Sequence, residues 1–241
     1  MTDVWTLLQA RARRQPGSPV VTFVDTTSGT RTELSAASLQ NAAAKIANAL
    51  RDAFDLEPGS RVGLRIPQHW QRSAWCAGVW TAGCVAVLDE DADSLDLVVT
   101  GPREASRQAS ATVVVVSLHP LGLPIDEALP AGVEDVTLAV RQQPDAYLYE
   151  PPAFGQPALV LAGRMLSQEQ VLAAARERAD QWSLAVGGRL LAGEDLDSDD
   201  AWMAALAVPL SVDASVVLVA GDHGLDAVAV QERTTALATS S

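Results

Sequence analysis

The chain has 241 residues, with 17 Lys plus Arg against 30 Asp plus Glu and a formal net charge of −13. That excess of acid excludes a general binder of nucleic-acid phosphates, whose backbone it repels at long range. Hydrophobic residues make up 48% and charged residues 20%, so the chain can bury a core and reads as globular. The arginines of residues 1–16 follow the apolar residues instead of preceding them, and no apolar run approaches the ~20 residues a bilayer needs. We therefore expect a cytoplasmic protein without signal peptide or membrane span. Cys76 and Cys84 read as buried thiols. Lys45 is the sole lysine, so any Schiff base, phosphate-gripping lysine or lysine general base would have to use it.

In chain order, Val4, Leu7 and Leu8 recur at helical spacing behind Asp3 and predict a helix over 2–14, ended by Pro16, Gly17 and Pro19. Residues 19–25 and 30–34 alternate as strands about a turn at Thr27-Ser28-Gly29, which makes a hairpin. Ser35 is placed to cap a helix to about Phe54, with Leu39, Ala43, Ile46 and Leu50 on one face. A turn at 57–60 leads to a strand over 61–66, a helix over 70–82 and a strand over 84–88. Strand, helix and strand with short connections predict a crossover unit and a parallel sheet.

The apolar runs 95–100 and 112–117 suit strands covered on both faces. Residues 118–130 read as loop, and 136–140, 145–149 and 159–162 as short strands. Ser167 and Gln170 form a capping box for a helix to about Trp182. Beyond Gly187-Gly188 come a strand at 190–191, a helix over 199–206 and a buried strand over 215–220. The pattern is α/β, a mostly parallel sheet flanked by helices, in one domain over 1–230. Residues 231–241 read as a polar, frayed tail.

Three segments in this order carry a resemblance: Leu34-Ser35-Ala36-Ala37-Ser38-Leu39, Leu56-Glu57-Pro58-Gly59-Ser60-Arg61-Val62 with Gly63-Leu64-Arg65-Ile66-Pro67, and Ala82-Gly83-Cys84-Val85-Ala86-Val87-Leu88-Asp89. Together they resemble the N-terminal region of the adenylate-forming superfamily, the acyl-CoA synthetases, luciferases and peptide-synthetase adenylation domains. The likeness implies that family's N-terminal fold over about 2–220. In the family a strand runs into a Thr-Ser-Gly-Thr-Thr-Gly-x-Pro-Lys-Gly loop whose backbone N–H groups, hydroxyls and lysine surround the phosphates of ATP. Aligned on Gly-x-Pro, the positions here are Glu150, Pro151, Pro152, Ala153, Phe154, Gly155, Gln156, Pro157 and Ala158, of which only Gly155 and Pro157 agree. Pro151 and Pro152 carry no N–H, Glu150 brings charge of the wrong sign, and Ala158 replaces the lysine.

A charge-assisted phosphate contact is worth ~1.5–3 kcal/mol, so the loop forfeits several such contributions, and we expect no cofactor and no catalytic residue. The family's later parts, including an aromatic beside adenine, an acidic residue for the ribose and a C-terminal domain with a catalytic lysine, have no match in this sequence. The reading is a noncatalytic remnant serving as a binding or regulatory module, with a homodimer or protein partner covering the face its ancestor buried. One alternative is an adenylate-forming ligase subunit that uses ATP and Mg²⁺ and is completed by a partner chain; another is a nucleotide-independent carboxylic-acid binder.

The remaining constellations are weaker. His69, His119 and His223 lack metal-ligand spacing, and no metal is expected. His69, at a strand-to-helix junction, sits where α/β sheets meet ligands, though a surface histidine is the plainer role. The acidic runs 89–93 and 194–200 read as solvated loops, the second lacking the Gly and Glu of a calcium loop. Asp222-His223-Gly224 has no nucleophile elbow to serve. Trp75 and Trp80 are expected in the core, and Trp70 and Trp202 bordering an exposed patch.

Overall fold

The computed structural model describes residues 3–88, 94–105, 111–150, 152, 155–161, 163–196, 198–221 and 224–240. The acidic run 89–93 and residues Asp222 and His223 lie outside them. The chain, expected to form one α/β domain, divides into two compact units: residues 1–40, 68–73 and 169–241, and residues 41–67 and 74–168.

The first unit is built on a five-stranded sheet in the order β12-β10-β11-β1-β2. Its strands are β1 (Pro19–Asp25), β2 (Thr30–Ser35), β10 (Arg189–Ala192), β11 (Ser215–Ala220) and β12 (Ala236–Leu237). β1 and β2 form the expected antiparallel hairpin; β1, β11, β10 and β12 run parallel. Helix α1 (Val4–Arg14) starts at Asp3, whose carboxylate accepts the Thr6 N–H at 2.8 Å, satisfying one of the amides a helix start leaves free. Leu191 of β10 and Val217 and Val219 of β11 share one buried cluster with Val228 of helix α8 (Leu225–Glu232).

The second unit carries a seven-stranded sheet in the order β7-β6-β5-β3-β4-β8-β9. The strands are β3 (Arg61–Arg65), β4 (Val85–Val87), β5 (Leu97–Thr100), β6 (Thr112–Val115), β7 (Val133–Asp135), β8 (Pro157–Leu161) and β9 (Arg164–Ser167). All neighbours pair parallel except the β8–β9 hairpin. Val85, Val87, Leu95, Val98, Val113 and Val160 form its core, as continuous apolar strands covered on both faces require. Two helices start in the first unit and continue into the second: α2 (Ala36–Asp52), capped by the Ser35 hydroxyl accepting the Ser38 N–H at 3.2 Å, and α3 (Trp70–Thr81). Within the second unit α2 and α3 touch at Gly78, where a Cβ would lie 2.6 Å from Ile46 Cβ. A third helix, α5 (Gln168–Gln181), follows β9.

Several expectations need correction. Residues 137–141 are helix α4, not strand, and β7 precedes them: Asp135 accepts the Thr137 N–H at 2.8 Å and turns the chain into a helix start. Residues 145–149 form no strand; their backbone groups pair with side chains of α2. The helix over 199–206 is three segments, α6 (Ser198–Trp202), a π-helical turn (Met203–Ala207) and α7 (Val208–Ser211), with Pro209 in the last. The supposed frayed tail holds the end of α8 (Leu225–Glu232) and strand β12. It stays ordered because Thr235 and Ala238 donate their N–H groups to the carbonyls of Arg189 and Leu191 and Ala238 is buried.

Candidate functional site

The parallel strands β10, β11 and β1 end together at Ala192, Ala220 and Asp25, and the carboxyl edge of a parallel sheet is where α/β folds place ligands. The residues leading into and opening α3 pack against it. Gln68 is buried and donates to the carbonyls of Ala192 and Gly193 at 3.1 and 3.2 Å, while its own oxygen accepts from Arg72 at 3.1 Å. The Arg72 guanidinium lies over the Trp202 ring, 4.8 Å from its centroid. Burial lowers its pKa to about 10, and Glu194 opposes that shift. The Ser73 hydroxyl donates to Ala205 O at 2.6 Å, pairing a carbonyl of the π-helical turn, a feature that recurs at functional sites.

The strand ends are close-set. Gly221 has φ +90°, and a Cβ there would lie 2.9 Å from Thr27 Oγ1, so glycine is required. The Gly221 N–H is taken by Glu194 at 3.1 Å. Asp25 caps the β1–β2 turn, and the Ser28 hydroxyl holds its carboxyl below the usual range. His69 is buried, not on the surface: its ring meets Phe23 edge-on at 4.5 Å and Trp70 at 5.3 Å. The sequence reading missed Gln68, Arg72 and Ser73. The strand-to-helix junction after Pro67 located them, but their targets are main-chain atoms distant in sequence.

The aligned phosphate-loop positions lie in the second unit. Glu150 is exposed, and Pro151, Ala153 and Phe154 lie outside the described residues. Pro152 is half-buried, and a Cβ on Gly83 would stand 3.0 Å from its Cβ. Gly155 has φ +89°, Gln156 is half-buried, and Pro157 and Ala158 begin β8. Ala158 is buried, with its carbonyl accepting the Trp80 indole N–H at 2.8 Å. The methyl group of Ala158 thus lies in the core.

The other candidates are structural in their contacts. Lys45 Nζ donates to the carbonyls of Gln143 and Arg141 at 2.5 and 3.3 Å and pairs with Asp145 at 2.9 Å. Cys76 and Cys84 are buried free thiols; burial drives the first well up and the second to about 12, so neither is a ready nucleophile. Trp202 is buried beneath Arg72. Within the acidic run 194–200, Asp200 is buried and pairs with Arg178 at 3.0 Å, so it is not wholly a solvated loop. Among the described residues no group of three His, Cys, Asp or Glu could hold a metal ion, and no helix is long and apolar enough to cross a membrane.

A family model described as AMP-binding enzyme matches residues 8–150. A protein of Mycobacterium tuberculosis strain H37Rv, described as a TIGR03089 family protein, is 37% identical over 221 residues, covering 89% of this chain and 88% of that protein. Among solved structures, Brucella canis acyl-CoA synthetase superposes with a TM-score of 0.75 at 19% identity, over 98% of this chain and 47% of that one. The N-terminal domain of Mycobacterium tuberculosis FACL13 does so with a TM-score of 0.70 at 18% identity, over 97% and 62%. At these identities the two structures share the fold; this chain spans less than two thirds of each.

Proposed function

The chain belongs to the AMP-binding enzyme family, and we propose that it is a noncatalytic member, a binding or regulatory module that does not hold ATP as its relatives' fold would suggest. The carrying observation is the chemistry of residues 150–158. An ATP cradle needs converging N–H donors, hydroxyls and a cation. Pro152 and Pro157 offer no N–H, Glu150 repels phosphate, and Ala158 is buried in β8 with its carbonyl committed to Trp80. Lys45 is fully engaged with residues 141–145. The residues present do not fit nucleotide, and no chemical step is assigned through it.

Isothermal titration of the full chain with ATP and Mg²⁺ tests the reading. No measurable heat is the expected result; a micromolar Kd would overturn it.

A ligase subunit completed by a partner chain is the second reading, favoured by this chain's spanning 47% of the Brucella synthetase. It requires ATP–pyrophosphate exchange to appear when a co-purified partner is added. Cytoplasmic location and self-association are further parts of the proposal, the latter tested by sedimentation.

A further inference from the structure

The polar face of α2 in the second unit presents Lys45, Asn48 and Asp52, spaced one turn after another. Residues 141–149 lie along that face without helix or strand of their own beyond Arg141. Asn48 is completely buried in an alanine-rich helix, a costly place for a carboxamide unless it is bonded. Its Nδ2 donates to the carbonyls of Pro144 and Ala146 at 3.3 and 2.9 Å, and its Oδ1 accepts the Leu148 N–H at 3.2 Å. Those are main-chain groups of alternate residues, the pattern a neighbouring β-strand would read. Lys45 adds the carbonyls of Arg141 and Gln143, and Asp52 closes the far end by accepting from the Tyr149 hydroxyl.

The segment's side chains hold it at a few points: the half-buried Tyr147, the Tyr149 hydroxyl on Asp52 and the Asp145 carboxylate on Lys45. Leu148 is 62% and Tyr149 40% exposed, and Asp145 is largely in water. A segment fastened by hydrogen bonds from two side chains to its main chain, with Tyr147 its one half-buried aromatic, opens at lower cost than the sheet beside it.

We infer that residues 141–149 are a strap that opens and closes on α2 as one unit, latched by Lys45 and Asn48. Its closed position sets where residues 150–158 begin. This inference does not depend on whether the family's nucleotide chemistry survives.

Hydrogen exchange of the full chain, with trypsin cleavage after the exposed Arg141 as a second readout, tests it. Lys45→Met keeps the aliphatic stem and removes the ammonium; Asn48→Ala removes the main-chain reader. Each variant is expected to raise exchange of the Leu148 amide, which Asn48 holds, about tenfold and to speed cleavage after Arg141, with exchange in β3, β5 and β6 unchanged. Strap exchange that stays at the wild-type rate, or rises only in step with those strands, overturns the proposal. If Asn48→Ala does not fold, Lys45→Met, at a side chain 27% exposed, decides alone.

Discussion

At the carboxyl edge of the five-stranded sheet, Gln68, Arg72 and Ser73 each end on a protein carbonyl, carboxamide or ring. Along residues 150–158 the chain instead offers prolines, an exposed carboxylate and a buried methyl group. The first region is tied by polar side chains to main-chain carbonyls, whereas the second offers few polar side chains. The difference teaches that the two regions are held by different forces: apolar strands such as β4, β5 and β6 pack the second sheet, while side chains at the carboxyl edge of the first bond main-chain atoms. Substitutions can break or sharpen this contrast.

The largest effect is expected at Ala158→Lys. If the position were a vacant lysine site, the change would restore phosphate affinity at little cost. The buried methyl group at the start of β8 argues otherwise: an ammonium placed there is desolvated. Destabilisation of about 3 kcal/mol or more in urea unfolding, with no gain of ATP binding, is expected. Near-native stability together with new nucleotide affinity would dissolve the contrast.

Next in size is Glu232→Gln. Its carboxylate, 6% exposed, joins Arg31 at 2.7 Å and Arg189 at 2.8 Å, and Arg189 also donates to Thr22 at 2.8 Å, so the end of α8 is riveted to β1, β2 and β10. The Arg31 hydrogen bond, opposed by burial and aided by Arg189, holds the Glu232 carboxyl below its usual range. A depressed carboxyl stabilises the fold fully above its unfolded value of about 4.3 and ceases to do so as pH falls through the lower folded value. Glu232→Gln should therefore cost about 2 kcal/mol at pH 7 and flatten the loss of stability below about pH 4.5. Unchanged acid unfolding would show the rivet to be ornamental.

Much of the fold was legible because periodicity reports burial directly. β1, β3, β5, β6 and β11 are apolar runs, and α2 shows its face through Leu39, Ala43, Ile46 and Leu50. The errors fall where tertiary partners outvote local pattern. Residues 145–149 look like a strand but satisfy their backbone on Asn48, and 235–238 look like polar tail but complete a sheet. The carboxyl-edge residues were opaque for the same reason: nothing near Gln68 in sequence announces the carbonyl of Ala192. The chemistry of 150–158, by contrast, could be read residue by residue, since a missing N–H or lysine is missing in any conformation.

The smallest effect is expected at Asp145→Asn, and it separates charge from main-chain recognition in the strap. Asp145 is 65% exposed and pairs with Lys45 at 2.9 Å, while the same ammonium holds two backbone carbonyls. Water and salt screen an exposed pair, so its removal should cost less than about 0.5 kcal/mol, and salt should erase even that. Lys45 keeps its carbonyl partners and Asn48 keeps all three of its own, so exchange of the Leu148 amide should stay near wild type. If Asp145→Asn opened the strap as far as Lys45→Met does, the ion pair would be the latch, and reading of the main chain by α2 would be secondary.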